Sequence, residues 1–161
     1  MSTQEKGDSA MNENGESRDF VTMTIHGQLF GIPVLTVRDV LGPQKITRIP
    51  LASPEVAGAL NLRGRIVTAI DVRKRLGLAT AEVGAKSMSV VVDHGGELYS
   101  LIIDSVGEVL SLPADSFERN PATLDPAWRE VSGGVYRLQG KLLVVLDVAR
   151  LVSFNKRVEA A

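Results

Sequence analysis

Residues that could carry acid–base or metal chemistry are few in this chain and lie far apart. There are two histidines and no cysteine, which excludes thiol nucleophiles, disulfides and cysteine-ligated metals. His26 and His94 both stand beside glycine in predicted turns, where a solvated side chain is expected. Asp71 and Asp147 each end a short apolar run, so we expect them to cap short helices rather than to act as a catalytic pair. The sequence predicts no catalytic residue, no metal site and no cofactor.

Phosphate and nucleic-acid chemistry are also poorly supported. The segment 134–141 is similar to a phosphate-binding loop, but its spacing is one residue too long and Leu142 stands where Ser or Thr must meet magnesium. The basic cluster 73–75 is expected to be a solvated helix face rather than a phosphate site. A net charge of −1, with one Trp, two Tyr and four Phe, argues against a nucleic-acid partner, which needs clustered positive charge and stacking rings.

The chain contains an internal duplication, in which residues 20–78 are echoed by residues 89–152. The shift is 69 residues in the first part of the repeat and 76 residues in the last part. Matched positions exchange apolar for apolar, acid for acid and Gly for Gly, as expected for two copies of one supersecondary unit. A unit of roughly 65 residues is marginally stable alone, so we expect the two halves to share a core.

Each copy begins with a predicted β-hairpin and ends in a buried strand followed by a short helix. Residues 34–41 suit a helical turn as well as a strand, and both alternatives stay open. Ser53 and Asp125 are each followed by Pro, which predicts two further helix starts. No window has 3.6-residue periodicity over ten residues, so the fold class is all-β with minor helices. The predicted strands are residues 21–25, 29–32, 66–70, 89–92, 98–103 and 142–146.

Arg63, in the segment Asn61-Leu62-Arg63-Gly64, is the most informative difference between the copies. Gly64 has a counterpart in Gly140, but Arg63 falls opposite Gln139, and a site added to one copy need not occur in the other. Asp39 is the nearest acidic candidate to pair with Arg63. A surface ion pair contributes only about 0–1 kcal/mol, so its value would lie in orienting the guanidinium towards a partner. The alternative is an exposed arginine without a role.

Five segments together resemble the signature of the CheW chemotaxis coupling proteins: residues 46–50, 56–64, 66–67, 70–73 and 103–110. The resemblance extends from Phe20 to about Phe154. It implies two intertwined five-stranded SH3-like barrels, with a first lobe at about 19–84 and a second at about 85–154, strand exchange between them being left open. Residues 1–18, which are polar and carry no secretory signal, and residues 155–161 are predicted to be tails.

The resemblance also implies a function. CheW-type proteins are non-catalytic adaptors that link the cytoplasmic tips of methyl-accepting chemoreceptors to the regulatory domain of the histidine kinase CheA. A cytoplasmic protein recruited to membrane receptor arrays is therefore expected, without nucleic acid as partner. Direct membrane insertion is not expected either, because the apolar runs are far shorter than the ~20 residues of a membrane-spanning helix. The output, flagella or type IV pili, stays open.

The family pattern can be carried onto this chain residue by residue. The family arginine matches Arg63, and its acidic partner matches Asp39, with Asp in place of the usual Glu. Receptor contact is implied at a groove between the lobes, around Val37 and Val106, and kinase contact on the first lobe. The residues expected to contact partners are Val37, Asp39, Val40, Gly58, Asn61, Arg63 and Val106. A small barrel that binds nucleic acid or a small ligand, and an enzyme, are the alternatives from other classes.

Overall fold

The computed structural model describes residues 16–79 and 86–153. The predicted tails lie outside the described residues, apart from residues 16–18. Of these, Ser17 and Arg18 already belong to the first strand, where they pair with Pro113 and Leu112.

Nearly all regular structure in the described residues is β, which confirms the predicted fold class. The strands are β1 (Ser17–Ile25), β2 (Gln28–Pro33), β3 (Val37–Leu41), β4 (Val56–Leu62), β5 (Arg65–Asp71), β6 (Met88–His94), β7 (Glu97–Ile103), β8 (Ser105–Pro113), β9 (Ser132–Leu138) and β10 (Lys141–Leu146). The helices are α1 (Val72–Arg75), α2 (Pro126–Arg129) and α3 (residues 148–153), with 3-10 turns at Val34–Thr36 and Ala114–Ser116. The ambiguous stretch 34–41 is thus a 3-10 turn followed by a strand.

Both predicted hairpins are confirmed, and their turns have the same geometry. β1 and β2 are joined by His26-Gly27, and β6 and β7 by Gly95-Gly96. All four residues have positive φ, between 53° and 84°, which is the type I′ conformation that matches the twist of paired strands.

The two five-stranded sheets each combine strands from both repeats. Their strand orders are β8-β1-β2-β10-β9 and β3-β6-β7-β5-β4. The hairpin β1–β2 lies between the second-repeat strands β8 and β10, and β6–β7 lies between the first-repeat strands β3 and β5. The contacts of β2 with β10 and of β7 with β5 are parallel. The lobes are therefore intertwined, as the family resemblance implies.

Strand β10 shows why the long apolar runs are needed. Its side chains alternate between two cores: Leu143 and Val145 pack with Phe20 and Tyr136 inside one sheet, while Val144 and Leu146 join the core that the two sheets share. Because successive side chains of a strand point to opposite faces, a strand buried on both faces must be apolar throughout. β5 is similar: Val67 and Ala69 pack inside the other sheet, and Ile70 faces the shared core.

Three of the four predicted helix starts are confirmed. The carboxylates of Asp71, Asp147 and Asp125 accept hydrogen bonds from the backbone N–H groups of Lys74, Arg150 and Ala127, at 3.3, 3.2 and 2.8 Å. The helix predicted at Ser53 is wrong.

The chain at Ser53 forms a single turn instead, closed by the Val56 N–H donating to the Ser53 carbonyl at 2.9 Å, and enters β4 directly. The Asp71 N–H donates to the Glu55 carbonyl at 2.8 Å. This hydrogen bond extends the β4–β5 pairing to Glu55, so the segment cannot continue as a helix.

Candidate functional site

Arg63 lies at the tip of the β4–β5 hairpin, in a backbone conformation that is unusual for its type. Leu62 pairs with Arg65, so Arg63-Gly64 is a two-residue turn with φ of 54° and 85°. The Asn61 side-chain oxygen accepts the Gly64 N–H at 3.0 Å and holds this turn. A left-handed conformation costs a residue with a Cβ roughly 1–2 kcal/mol, and such strain is concentrated at functional sites.

The Arg63 guanidinium contacts the Asp39 carboxylate, with 3.1 Å between Nη2 and Oδ2. Asp39 is on β3 and Arg63 follows β4, and these two strands are the opposite edges of one sheet. The sheet therefore curls until its edges meet at this ion pair. The Asp side chain spans the distance although it is one methylene shorter than the Glu that the resemblance leads one to expect.

The two partners of this ion pair are exposed to very different degrees. The Arg63 side chain is 78% exposed and that of Asp39 is 25% exposed. Asp39 Oδ1 accepts the Val40 N–H at 2.9 Å, whereas the buried Oδ2 accepts no hydrogen bond within the described residues. The positive charge of Arg63 therefore offsets the free-energy cost of burying Oδ2, although the two side chains do not form a hydrogen bond. The arrangement presents an oriented cation to solvent.

Gly58 is buried beneath the segment that carries Ile46 and Thr47. Its φ is 149°, and a Cβ there would lie 2.2 Å from the Thr47 carbonyl oxygen. The same arrangement recurs at Gly134, where φ is 153° and a Cβ would lie 2.3 Å from Phe117 Cζ. Gly58 and Gly134 are related by the 76-residue shift, so packing explains both. The absence of a side chain at Gly58 therefore lets the segment with Ile46 and Thr47 lie close against β4.

The valines of the predicted receptor surface fall into two kinds. Val37 on β3 and Val106 on β8 are partly buried and pack against the core that the sheets share. Val40 and Val109, which the 69-residue shift relates to each other, are 39% and 58% exposed. β3 and β8 are each an edge strand. An apolar side chain is therefore presented to solvent on the equivalent edge of both sheets.

The second repeat has no equivalent of the ion pair. Glu108 replaces Asp39 and Gln139 replaces Arg63, and both residues line an open groove of about 430 Å³ with Lys141. Gln139 is not among the described non-glycine residues with positive φ, which are His26, Leu51 and Arg63. The strained turn and the oriented arginine therefore belong to the first repeat alone.

The expectation that residues 73–75 form a solvated face is wrong for two of the three. Arg73 donates to both oxygens of Asp104, at 2.8 and 2.6 Å, and to the carbonyl of Ala79 at 3.1 Å. The Asp104 carboxylate also accepts the His26 N–H at 2.9 Å. The Arg73 hydrogen bond holds the pKa of Asp104 below its usual range. This clamp ties α1 to the β1–β2 turn and to the β7–β8 junction.

Arg75 makes a second connection between the repeats. Its side chain is 8% exposed and donates to the carbonyls of Leu151 and Arg150 in α3, at 3.2 and 3.1 Å. Cations at the carbonyl end of a helix are electrostatically favoured. Sequence reasoning missed both arginine clamps, because Arg73 and Arg75 take partners from the other repeat.

Signs of other chemistry are weak. Within residues 16–79 and 86–153, no group of three or more His, Cys, Asp or Glu side chains is placed to hold a metal ion. His26 is exposed in its turn and His94 is half-buried at the end of β6. In the same described part of the chain, no helix has the length and apolar character needed to cross a membrane.

Comparison with known proteins identifies the family. The model of the CheW-like domain matches residues 19–155. "Chemotaxis protein CheW" of Treponema pallidum is 29% identical over 147 residues, covering 89% of this chain and 86% of that protein. The protein of the same name from Klebsiella aerogenes is 27% identical over 136 residues, covering 84% and 82%. That of Bacillus subtilis is 32% identical over a shorter 72 residues, 45% of this chain and 46% of that protein.

A solved structure agrees with the sequence comparisons. The crystal structure of the scaffolding protein TtCheW from Thermoanaerobacter tengcongensis superposes with a TM-score of 0.73 at 27% identity, covering 81% of this chain and 89% of that one. The intertwined sheets and a family match over residues 19–155 lead to one conclusion: this chain belongs to the CheW-like domain family of non-catalytic scaffold proteins.

Proposed function

We propose that this protein is a chemotaxis adaptor that couples methyl-accepting chemoreceptors to the histidine kinase CheA. The observation that carries the proposal is the Arg63–Asp39 pair, held at 3.1 Å on a strained turn within the family motif. An ion pair this exposed adds about 0–1 kcal/mol to stability. Because the pair adds so little stability, its proposed value lies in orienting the Arg63 guanidinium towards a partner. The protein would work in the cytoplasm, at receptor arrays.

Kinase contact is proposed on the first lobe, at the tip of the β4–β5 hairpin. Arg63 is the anchor, because a planar guanidinium fixed by one carboxylate still offers donors to a second acceptor. Asn61 fixes the turn through the Gly64 N–H. Gly58 keeps the neighbouring segment close to β4. In this proposal the partner is the regulatory domain of CheA, and Arg63 meets an acceptor on it.

Receptor contact is proposed along the junction between the sheets. Val37 and Val106 both pack on the shared core, so a partner seated at the junction would contact elements of both repeats. Val40 and Val109 supply exposed apolar surface on the two edge strands. A few apolar anchors of this kind carry most of the affinity in modest interfaces. In this proposal, receptor binding here alters kinase binding through a coupling free energy between the two surfaces.

The test is a binding and activity experiment with purified components. The protein is mixed with CheA and a receptor cytoplasmic fragment, and complex size and kinase autophosphorylation are followed. Arg63→Glu is expected to weaken the complex with CheA at least tenfold, while the thermal midpoint stays within a few degrees of wild type. Arg119→Glu is the control, since Arg119 is exposed in the second repeat. Unchanged binding by Arg63→Glu would remove Arg63 from the site.

A further inference from the structure

The loop of residues 48–54, between β3 and β4, exposes apolar side chains that the fold does not use. Leu51 is fully exposed, at 101%, and Ile49 is 42% exposed. Leu51 also has a φ of 65°, a left-handed conformation that is unfavourable for a residue with a branched side chain. The loop thus combines backbone strain with exposed apolar surface. Both are unfavourable for the stability of the free protein, and neither is compensated by burial of Leu51.

The equivalent loop of the second repeat, residues 119–131, buries its apolar side chains against the rest of the molecule. It is longer and contains α2. The Trp128 ring of this helix packs against Phe30 at a tilt of 60°, with 5.4 Å between ring centroids, and its indole N–H donates to the Leu76 carbonyl at 3.1 Å. Leu124 in that loop is 8% exposed. The second repeat therefore buries its loop apolar residues with its own short helix, and the first repeat leaves Ile49 and Leu51 uncovered.

The surface around Leu51 has a definite chemical character. The loop, with Val56, Ala57 and Lys74, lines a groove of about 820 Å³, and no carboxylate is among its lining residues. Arg48 and Lys74 are exposed, and no ion pair is found for either side chain within the described residues. Two carboxylates lie just outside this lining: that of Glu55 accepts the Ser53 hydroxyl, and that of Asp71 accepts the Lys74 backbone N–H. The groove therefore has a mixed apolar and polar lining, in which both charged side chains are cations.

We propose that the 48–54 loop is a docking surface for a short segment of a partner protein that carries a carboxylate beside a large apolar side chain. The apolar side chain would fill the groove beside Leu51, and the carboxylate would face Arg48 and Lys74. This surface is separate from Arg63, because the loop enters β4 at Val56 and Arg63 follows its other end. At ~3.3 Å per strand residue, the end of the loop at Val56 and the turn that carries Arg63 are about 20 Å apart. The inference rests on the proposed function and extends its first-lobe contacts beyond Arg63 and Gly58 to this loop.

The first arm of the test uses anilinonaphthalene sulfonate, a dye that is both anionic and apolar. Wild-type protein is expected to bind it saturably, Leu51→Asp to lose that binding, and Arg48→Glu to weaken it severalfold. Ile66→Asp is the matched control, because Ile66 is 71% exposed on β5, away from the groove lining. No saturable binding by wild type, or equal binding by wild type and Leu51→Asp, would overturn the groove.

The second arm uses the regulatory domain of CheA and a receptor cytoplasmic fragment as probes. Leu51→Asp is expected to lower the affinity for one of them at least tenfold, with Leu51→Met close to wild type and all variants unfolding at similar temperatures. Unchanged affinity of Leu51→Asp for both probes would overturn the docking role. If wild type binds neither fragment, the proposed adaptor function fails, while the dye arm still decides whether the groove exists.

Discussion

The two lobes have the same residue types where close packing or helix capping restricts the residue. Gly58 and Gly134 occupy the same bulge with nearly the same φ, and Asp71 and Asp147 cap the same helix start. Each of these positions is constrained by backbone or side-chain atoms that approach closely or by an unsatisfied N–H group. Duplicated sequence is retained at such points because any other residue costs stability.

The lobes differ at the edge of the sheet. In the first lobe Asp39 and Arg63 draw the two edge strands together, and in the second Glu108 and Gln139 leave an open groove. Both arrangements are compatible with a folded sheet, so stability does not choose between them. Function in this duplicated protein should therefore be sought where one copy departs from the other.

The largest effect is expected where the lobes agree. Gly58→Ala and Gly134→Ala should each destabilise the protein by about 3 kcal/mol, from the sum of left-handed strain and overpacking. Urea denaturation measures this. Gly64→Ala is the control: its φ is also positive, at 85°, but nothing lies within 4 Å of the added methyl, so about 1 kcal/mol is expected. If one of the two buried sites tolerates Ala, the lobes are not equivalent at the bulge.

A smaller effect is expected at the clamp that joins the repeats. Asp104→Asn should cost about 2 kcal/mol at neutral pH, since it removes a charge-assisted pair of hydrogen bonds from Arg73. The folded-state pKa of Asp104 is lowered, so this stability is present above the ordinary carboxyl pKa of about 3.9 and is lost as pH falls through the lower folded value.

Unfolding free energies between pH 2 and 7 test this sign. Wild type should lose its advantage over Asp104→Asn as the pH falls below about 4. A difference between the two proteins that stays constant across the range would show that Arg73 does not stabilise the ionised carboxylate.

The smallest effect is expected from building the missing arginine into the second lobe. Gln139→Arg should change the free energy of unfolding by less than about 1 kcal/mol, because an ion pair between the new guanidinium and Glu108 would be exposed. Kinase binding should stay at the wild-type level, since the proposed anchor, Arg63 on the first lobe, is unchanged. A gain in CheA affinity would mean that an arginine on the second lobe adds a contact with the kinase.

Much of the fold could be predicted because its causes are local. The hairpins follow from alternation and glycine turns, and the buried strands from apolar runs that serve two cores. Asp71 and Asp147 are recognisable as caps because each is followed by valine, at least one basic residue and leucine. Ser53 does not start a helix because Glu55 is tied by a hydrogen bond to Asp71, a partner that local sequence does not reveal.

The candidate site divides in the same way. Arg63 could be singled out because the second copy lacks it, and its contact with Asp39 agrees with the family pattern. The partners of Arg73 and Arg75 could not be predicted, since they lie 31 and 75 to 76 residues away in the other repeat. Leu51 is equally hidden, because a left-handed, exposed leucine has no signature in composition.

The intertwined sheets determine how the molecule is expected to unfold. Each sheet takes strands from both repeats and the two sheets share a core, so damage to one repeat is expected to unfold both sheets in a single cooperative step. If the proposed function holds, a half-folded form that still bound one partner would block the contact of that partner with an intact copy. A single cooperative unfolding step leaves little of such a half-folded form.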